Sequence, residues 1–385
     1  MGKGNAVSDH VTIDGSFGEG GGQVLRTSLA LAALTGRELE IVNIRARRTK
    51  PGLQPQHLLA VKAAAEICGA DVTGAQLGSQ RVRFTPGPVK SGTYRFDIGT
   101  AGSTSLVLHT LYLPLMLAGR GPSTVTITGG THVPMSPCFH YLDLQWRHFM
   151  ARIGLPIDLS MDSAGYYPRG GGLIIAELHT HAGLMAVSQM HAYQDTAVQG
   201  AGMAHTEIQG EEYVKPVDLA ERGSLTEIRG VSSVTGLPMS IAERQKNQAL
   251  MRLRSVGCPV TINTVDVPGV GQGTMLLLLA IFGNGRACYC GLGARGKRAE
   301  AVADEAAGQL IPLVRSRAAA DEHLADQIIL PLAFADGRSL ISTPVITQHL
   351  ITSIEVIKHF VPARFDVAGE MGTEGTVTIE GAPAA

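Results

Sequence analysis

Apolar and polar residues follow two periods along the first part of the chain. Apolar residues at helical spacing predict a helix within 18–36 that ends at Gly36, and a second helix over 57–68. Between them, the two-residue alternation of 38–44 is typical of a strand, and two short strands follow the second helix. This part of the chain therefore predicts one unit in which helices and strands alternate.

The same order of elements recurs twice further along. The second occurrence comprises a helix, a strand, a helix and two strands at 99–119, 123–129, 140–154, 155–161 and 173–179. The third has the same order at 322–335, 338–343, 349–361, 363–369 and 375–381. We therefore predict an α/β (or α+β) chain whose large domain contains three similar units.

The stretch between the second and third units has elements of its own. Strands are predicted at 225–234, 259–267 and 275–282, and helices at 238–257 and 297–315. These suffice for a small α/β domain inserted into a loop of the larger one. We place the large domain at 1–184 plus 319–385 and the insert at 185–318. The basic stretch 285–298 is predicted to be a turn, and the first nine residues a loose tail.

Composition narrows the function classes. With 32 basic and 33 acidic residues the formal charge is −1, which argues against a basic DNA-coating protein but leaves room for a local basic site. The five cysteines are irregularly spaced, so we expect neither a zinc site nor a disulfide framework. Because there is no apolar h-region and no membrane-length apolar run, we expect a cytoplasmic protein without membrane contact.

Glycine is more frequent than in an average protein, with 47 of 385 residues, and several glycines lie in a loop that is a candidate ligand site. In 18–26, glycines precede a helix whose N-terminal amides could bind an anion, although the P-loop pattern is absent. A plain tight turn is the alternative. Glu19 in this loop suits a metal ion. A basic loop at 45–57 suits phosphate oxygens, and its alternative is a solvated charged loop.

Among thirteen histidines, His349 stands out by position. It lies at the strand–loop–helix junction of the third unit. An imidazole at a helix N-terminus tends to stay neutral, and a neutral imidazole is a nucleophile able to attack phosphorus. Asp326, in the same unit, is expected to orient the ring or to hold a metal ion.

Seven motifs together resemble the RNA 3′-terminal phosphate cyclase family. They lie in the family's order at 14–26, 44–58, 98–108, 129–134, 166–172, 323–327 and 347–353. The resemblance implies a large domain of three βαβαββ-type units, similar to those of enolpyruvyl transferases, with an inserted small α/β domain. It also implies an enzyme that uses ATP and Mg²⁺ or Mn²⁺, acts on RNA with a 3′-phosphate end, and needs no protein partner.

The implied chemistry has three steps. A histidine takes AMP from ATP, the AMP passes to the RNA 3′-phosphate, and the neighbouring 2′-OH displaces it to leave a 2′,3′-cyclic phosphate. The family's nucleophile matches His349, and its metal ligand matches Glu19.

The resemblance also assigns binding roles. ATP-binding positions match Glu19, Gln23, Arg26, His109, Pro134, His323, Asp326 and Gln327. Positions that contact RNA or phosphate match Arg45, Arg48, Gln56 and His57. Pro134 resembles a wall of the adenine pocket. His109 and His323 stand where many members have Gln and Tyr. For both residues, a place in the core or behind the nucleotide contacts is therefore an equal alternative to direct contact with the nucleotide.

Two other functions remain as alternatives. A non-catalytic cyclase-like protein that binds RNA in ribosome assembly would have this fold, but such proteins lack the nucleophilic histidine. An enolpyruvyl transferase would have related units, but its chemistry uses no covalent histidine–AMP and does not account for the motif at 44–58.

Overall fold

The computed structural model describes residues 10–179 and 214–383. The predicted tail at residues 1–9 and the predicted boundary at 184/185 lie outside these ranges. The described residues form helices and strands mixed along the chain, in four small sheets, so the predicted α/β class is confirmed. Among the described residues, no helix combines the length and apolar character needed to cross a membrane.

The first four-stranded sheet carries two helices. Its elements are β1 (His10–Asp14), α1 (Gly22–Thr35), β2 (Glu38–Val42), α2 (Pro55–Cys68), β3 (Asp71–Thr73) and β4 (Val82–Thr85). The strand order is β1-β2-β4-β3, with β1 parallel to β2 and the other pairs antiparallel. Both helices end at glycines in the left-handed region, Gly36 and Gly69, where a residue without Cβ is favoured.

A second sheet has the same strand order and the same directions. Its elements are β5 (Thr93–Asp97), α3 (Thr104–Leu117), β6 (Ser123–Gly129), α4 (Phe139–Tyr141), α5 (Arg147–Arg152), β7 (Ile157–Ser163) and β8 (Gly172–Leu178). A π-helical turn at Leu142–Trp146 joins α4 to α5. The order is β5-β6-β8-β7, with only β5 and β6 parallel.

The third sheet is built from two distant parts of the chain. Its elements are β9 (Asp218–Leu219), α8 (Glu322–Leu332), β14 (Arg338–Thr343), α9 (Gln348–Lys358), β15 (Arg364–Ala368) and β16 (Gly375–Glu380). The order β15-β16-β14-β9, read from its other end, matches the first two sheets, and β9 is parallel to β14.

A fourth sheet lies between β9 and α8 in the chain. It comprises β10 (Leu225–Thr235), α6 (Ser240–Leu253), β11 (Val260–Asp266), β12 (Gly273–Phe282), β13 (Arg286–Leu292) and α7 (Ala299–Arg315). The strand order is β11-β10-β12-β13. Its own apolar core includes Ile228, Leu278 and Leu310, whereas the three other sheets and their helices share a larger one.

Two features of this region differ from the sequence predictions. The stretch predicted as a turn contains β13, which pairs antiparallel with β12, so that prediction is wrong. The predicted insert contains residues 218–219, but these pair with β14 of the third sheet. The predicted boundary at 318/319 falls between α7 and α8, and the division into two domains stays a prediction.

One buried carboxylate joins the fourth sheet to the helices around it. Asp321 caps α8 by accepting the Leu324 amide N–H at 2.8 Å. It also accepts hydrogen bonds from the Tyr141 hydroxyl at 2.8 Å, the Gln145 amide at 2.9 Å and the Cys288 backbone N–H at 3.1 Å. Because every donor is itself buried, these bonds fix where α8 begins.

Candidate active site

A glycine-rich loop leads from β1 into α1. Gly18 and Gly20 have positive φ angles of 58° and 57°, a conformation that favours glycine. Gly21 caps α1 without any side-chain hydrogen bond, so the first backbone N–H groups of the helix have no capping acceptor there. A Cβ on Gly18 would collide with the Thr352 hydroxyl, which shows how closely this loop approaches α9. The N-terminus of α1 is thus available to an anion.

His349 lies opposite this loop, in the first turn of α9. Its Nε2 is 3.1 Å from Oε2 of Glu19, and the same oxygen is 3.4 Å from a terminal nitrogen of Arg48. The His349 side chain is 41% exposed, so a substrate can reach the ring. The structure therefore brings the predicted nucleophile, the predicted metal ligand and a predicted phosphate contact together.

The charge state of His349 reflects opposing influences. Burial lowers the pKa of its imidazole; the Glu19 carboxylate raises it, while Arg26 and Arg48 lower it further. The net direction is downward. The imidazole is therefore neutral near pH 7, the form with a free lone pair on one ring nitrogen.

Gln23 holds the backbone next to the nucleophile. From α1, its side-chain amide donates to the carbonyl oxygen of His349 at 3.3 Å and also to the Ser353 hydroxyl. Gln23 thus joins the first turn of α1 to α9, and its predicted binding of ATP stays a prediction.

Arg26 and His57 lie behind the glycine loop. A Cβ on Gly22 would collide with Nε2 of His57 and would lie 2.7 Å from a terminal nitrogen of Arg26. Burial, then Arg45, lowers the pKa of Arg26 to about 10, so it stays a cation at neutral pH. Burial, followed by Arg26 and Arg45, lowers the pKa of His57 to about 3, so this ring is neutral.

The tautomer of His57 follows from its neighbours. Its Nδ1 accepts the backbone N–H of Gln54 at 3.3 Å as part of a reciprocal cap at the start of α2. The proton of the neutral ring is therefore on Nε2, which faces Gly22. His57 can donate one hydrogen bond toward the N-terminus of α1.

The other residues of the basic loop have different surroundings. Arg45 has a positive φ of 56°, and one of its terminal nitrogens donates to the carbonyl of Lys50 at 3.2 Å. Its Nε is buried and has no hydrogen-bond partner among the described residues. Gln56 is fixed, since its Oε1 accepts the Ser103 backbone N–H at 3.0 Å.

Helix α8 carries three of the predicted ATP-binding residues, and the three have different surroundings in the structure. Asp326 accepts a hydrogen bond from the Thr347 hydroxyl at 2.6 Å, and burial raises the pKa of its carboxyl well above the usual range. Gln327 has a buried Oε1 without a partner among the described residues. His323 is 54% exposed and makes an edge contact with the ring of Tyr289.

His109 lies on the inner side of the site rather than on its open face. Its ring centroid is 5.0 Å from that of Trp146, and its Nε2 is buried without a hydrogen-bond partner in the ranges described. Burial, then Arg26, lowers the pKa of His109 to about 3. The two histidines therefore differ in their surroundings: His109 is half-buried with its Nε2 covered, and His323 faces solvent.

Pro134 borders a cavity of about 300 Å³ beside these residues. The cavity is lined by Gln56, Ala101, Ser103, Leu106, Val133, Pro134, Met135, Ser136 and Tyr167. Its wall is mostly apolar, and Met135 and Tyr167 are strongly exposed, at 91% and 73%. Such a cavity suits a flat apolar ring.

A buried hydrogen-bond chain supports the loop that carries Pro134. The Gly165 backbone N–H donates to Thr131 Oγ1 at 2.9 Å, and this hydroxyl is 2.8 Å from Nδ1 of His132. Nε2 of His132 is 2.8 Å from Nδ1 of His140. Burial lowers the pKa of both histidines, that of His140 to about 4, so the chain consists of neutral groups that hold the loop in place.

Comparisons with known proteins identify the family of the chain. The family described as RNA 3′-terminal phosphate cyclase matches residues 17–367. The chain belongs to the RNA 3′-terminal phosphate cyclase family. The predicted family and the predicted class of enzyme are therefore confirmed.

Curated relatives of the cyclase family align over almost the whole chain. An RNA 3′-terminal phosphate cyclase of Methylococcus capsulatus is 42% identical, with 97% of each chain covered. One of Pyrobaculum aerophilum is 39% identical over 96% of this chain and 98% of the relative. One of Pseudomonas fluorescens is 42% identical over 93% and 94%.

Two residues beside the nucleophile were not singled out from the sequence. Thr347 caps α9 and bonds Asp326, and Ser353 receives the amide of Gln23. Thr347 carried a usable signal, because a threonine just before a helical apolar pattern is typical of an N-cap. Ser353 carried none, since its partner is more than 300 positions away in the chain.

Proposed function

We propose that this protein converts the 3′-terminal phosphate of RNA into a 2′,3′-cyclic phosphate at the expense of ATP, through a covalent His349–AMP. The observation that carries the proposal is the contact of a neutral, solvent-reachable His349 with Glu19, beside the N-terminus of α1 and Arg48. Family membership supports the overall reaction, and the site's geometry supports the histidine route.

The proposed architecture is that of three repeated βαβαββ units, similar to those of enolpyruvyl transferases, with an inserted domain. The shared strand order and strand directions of three sheets support it. The insert then begins after β9 and ends before α8, a shorter segment than 185–318.

In the first step, the imidazole of His349 attacks the α-phosphorus of ATP. A nitrogen–phosphorus bond forms, the bond to the bridging oxygen breaks, and pyrophosphate leaves. Arg26 and Arg48, with the first backbone N–H groups of α1, are suited to hold the phosphates because they combine cations with oriented amides. Gln23 keeps the backbone of His349 in place for this attack.

Glu19 fits a divalent cation. Its carboxylate is an oxygen ligand, the kind that Mg²⁺ and Mn²⁺ prefer, and its side chain is 36% exposed, so solvent ions can reach it. When bound, such an ion would offset the charge of the phosphate oxygens.

In the second and third steps, the AMP moves to the RNA 3′-phosphate and is then displaced by the adjacent 2′-OH. The AMP makes the phosphate a better electrophile, and the ribose itself holds the hydroxyl near the phosphorus. Arg45, Gln56 and His57 are the proposed RNA-phosphate contacts. His57 acts there as a neutral donor through Nε2, and Arg45 as a cation. Arg48 is shared with the ATP phosphates because of its contact with Glu19.

The adenine of ATP is proposed to occupy the cavity beside Pro134. A volume of about 300 Å³ leaves room for a base, and the apolar wall favours its faces. Four more residues are proposed to lie near the nucleotide: Asp326, Gln327, His109 and His323. Of these, Gln327 and His109 have buried polar atoms that lack partners among the described residues.

A product assay tests the reaction. Purified protein is incubated with ATP, Mg²⁺ or Mn²⁺, and an RNA oligonucleotide that carries a labelled 3′-phosphate. We expect the label to become resistant to phosphatase in the wild type and to stay sensitive in His349→Ala; an oligonucleotide with a 3′-OH serves as control. RNA binding without conversion would instead support the non-catalytic, cyclase-like binding protein.

A further inference from the structure

The residue that caps helix α9, Thr347, both accepts and donates a hydrogen bond through its hydroxyl. Thr347 Oγ1 accepts the backbone N–H of Leu350 at 2.9 Å, which is the N-cap of the helix. The same hydroxyl donates its only proton to Oδ1 of Asp326 at 2.6 Å. One side chain therefore caps the nucleophile's helix and ties it to α8.

The partner in α8 is itself well anchored. Asp326 lies little more than one turn into a helix whose start is fixed by the buried Asp321. Asp321 in turn bonds the Tyr141 hydroxyl and the Cys288 backbone N–H. The bond from Thr347 to Asp326 thus connects the start of α9 to a rigid part of the protein.

We call the hydrogen bond from Thr347 to Asp326 the clamp. His349 lies two residues after Thr347, and a second contact restrains it from the side of α1. Gln23 donates to its backbone carbonyl. A clamp on Thr347 and a tie from α1 restrain the same helical turn in two directions. Because in-line attack needs the reacting atoms aligned to within a fraction of an ångström, such restraint acts on the rate of the chemical step.

We infer that Thr347 is a positioning residue for the nucleophile: its hydroxyl holds the first turn of α9 against Asp326 so that His349 faces the α-phosphorus of ATP. The inference rests on the proposed function. Thr347 touches neither reactant in this assignment, so it acts through His349 alone.

The test compares three variants in self-adenylylation with labelled ATP. In Thr347→Val, which keeps the shape but removes the hydroxyl, we expect the rate constant at saturating ATP to fall about tenfold or more, with little change in the ATP concentration for half-maximal rate. Thr347→Ser keeps both hydrogen bonds and is expected to restore the rate to within about twofold. Thr35→Val, which removes one hydrogen bond to Leu31 in α1, is the matched control and should match the wild type.

A double-mutant cycle separates positioning from general loss of stability. In an Asp326→Ala background, Thr347→Val should cost less than it does in the wild type, because the bond to Asp326 is already lost and only the N-cap bond to Leu350 remains to be removed. Thermal unfolding gives the folded fraction of each variant, and rates are corrected for it. A corrected Thr347→Val rate equal to that of the wild type would overturn the inference, as would full additivity in the cycle or a Ser variant as slow as Val.

Failure of the proposed function would look different. If the wild type itself gains no label on His349, the histidine route is wrong. If the wild type is labelled on His349 and Thr347→Val reacts equally fast, the route stands and only the role of Thr347 is refuted.

Discussion

Gly22 is the position where a single methyl group tests the site most sharply. As the first residue of α1 it has no positive φ, so alanine suits the backbone and would by helix propensity alone add stability, up to about 1 kcal/mol. The obstacle is the lack of space: the new Cβ would collide with Nε2 of His57 and would lie 2.7 Å from a terminal nitrogen of Arg26. Both are proposed phosphate ligands.

The size of the effect follows from these distances. Ordinary contact needs about 3.4 Å, so the terminal nitrogen of Arg26 must move by about 0.7 Å, and the His57 ring, whose Nε2 lies closer than Cδ2, must move by more. His57 is only 3% exposed and its Nδ1 is bonded to the backbone of Gln54, so it cannot simply turn away. Overpacking of this kind destabilises by about 1–3 kcal/mol, and a misplacement near 1 Å can slow a reaction about a hundredfold.

The neighbouring glycine supplies the matched control. A Cβ on Gly21 would meet only a terminal nitrogen of Arg48, at 3.2 Å, and Arg48 is exposed and flexible. We expect Gly22→Ala to lose about a hundredfold in self-adenylylation rate and Gly21→Ala to lose less than about fivefold. Rates of labelling by [α-³²P]ATP, corrected for folded fraction, measure both. Equal rates in the two variants would refute the proposed placement of Arg26 and His57.

Three further predictions follow from the same site. Arg45→Ala should slow cyclisation of 3′-phosphate RNA about tenfold with little effect on self-adenylylation, since a charged hydrogen bond to RNA is lost; equal loss in both assays would mean that the loop serves ATP. Glu19→Gln should raise the Mn²⁺ concentration for half-maximal labelling about tenfold or more, and an unchanged metal titration would exclude Glu19 as the ligand. Tyr167→Ala should weaken equilibrium binding of ATP about fivefold, since an aromatic contact contributes about 1 kcal/mol; an unchanged Kd would place adenine elsewhere.

Elements with strong periodicity were predictable from the sequence. The strands predicted at 123–129 and 338–343 match β6 and β14 residue for residue. In β6 the apolar Val125 and Ile127 alternate with threonines, which is the two-residue period that sequence reading detects. Among the strands that were not predicted are β5, β9 and β13. β9 is two residues long, too short to show a period, and is defined only by its pairing with β14. β13 contains Ala, Gly and two cysteines, so its own residues have little strand propensity. It is a strand because it pairs with the buried β12 beside it.

The site divides in the same way. His349, Glu19 and Arg48 lie in motifs that follow the family's order, so the sequence could predict them together. The structure places nitrogens of His349 and Arg48 within 3.4 Å of the same oxygen of Glu19. Other aspects depend on packing. The tautomer of His57 and the opposite surroundings of His109 and His323 arise from burial and from partners distant in the chain. The clamp from Thr347 to Asp326 also joins two helices, and no local pattern specifies it.

The most direct test of the central claim is to locate the AMP. Wild-type protein is incubated with ATP and Mg²⁺ or Mn²⁺ without RNA, digested at neutral to alkaline pH to protect an acid-labile phosphoramidate, and mapped by mass spectrometry. We predict one AMP group on the peptide that contains 347–353, with the modification on His349 and none in His349→Ala. An AMP group on another residue, or undiminished labelling of His349→Ala, would contradict the account.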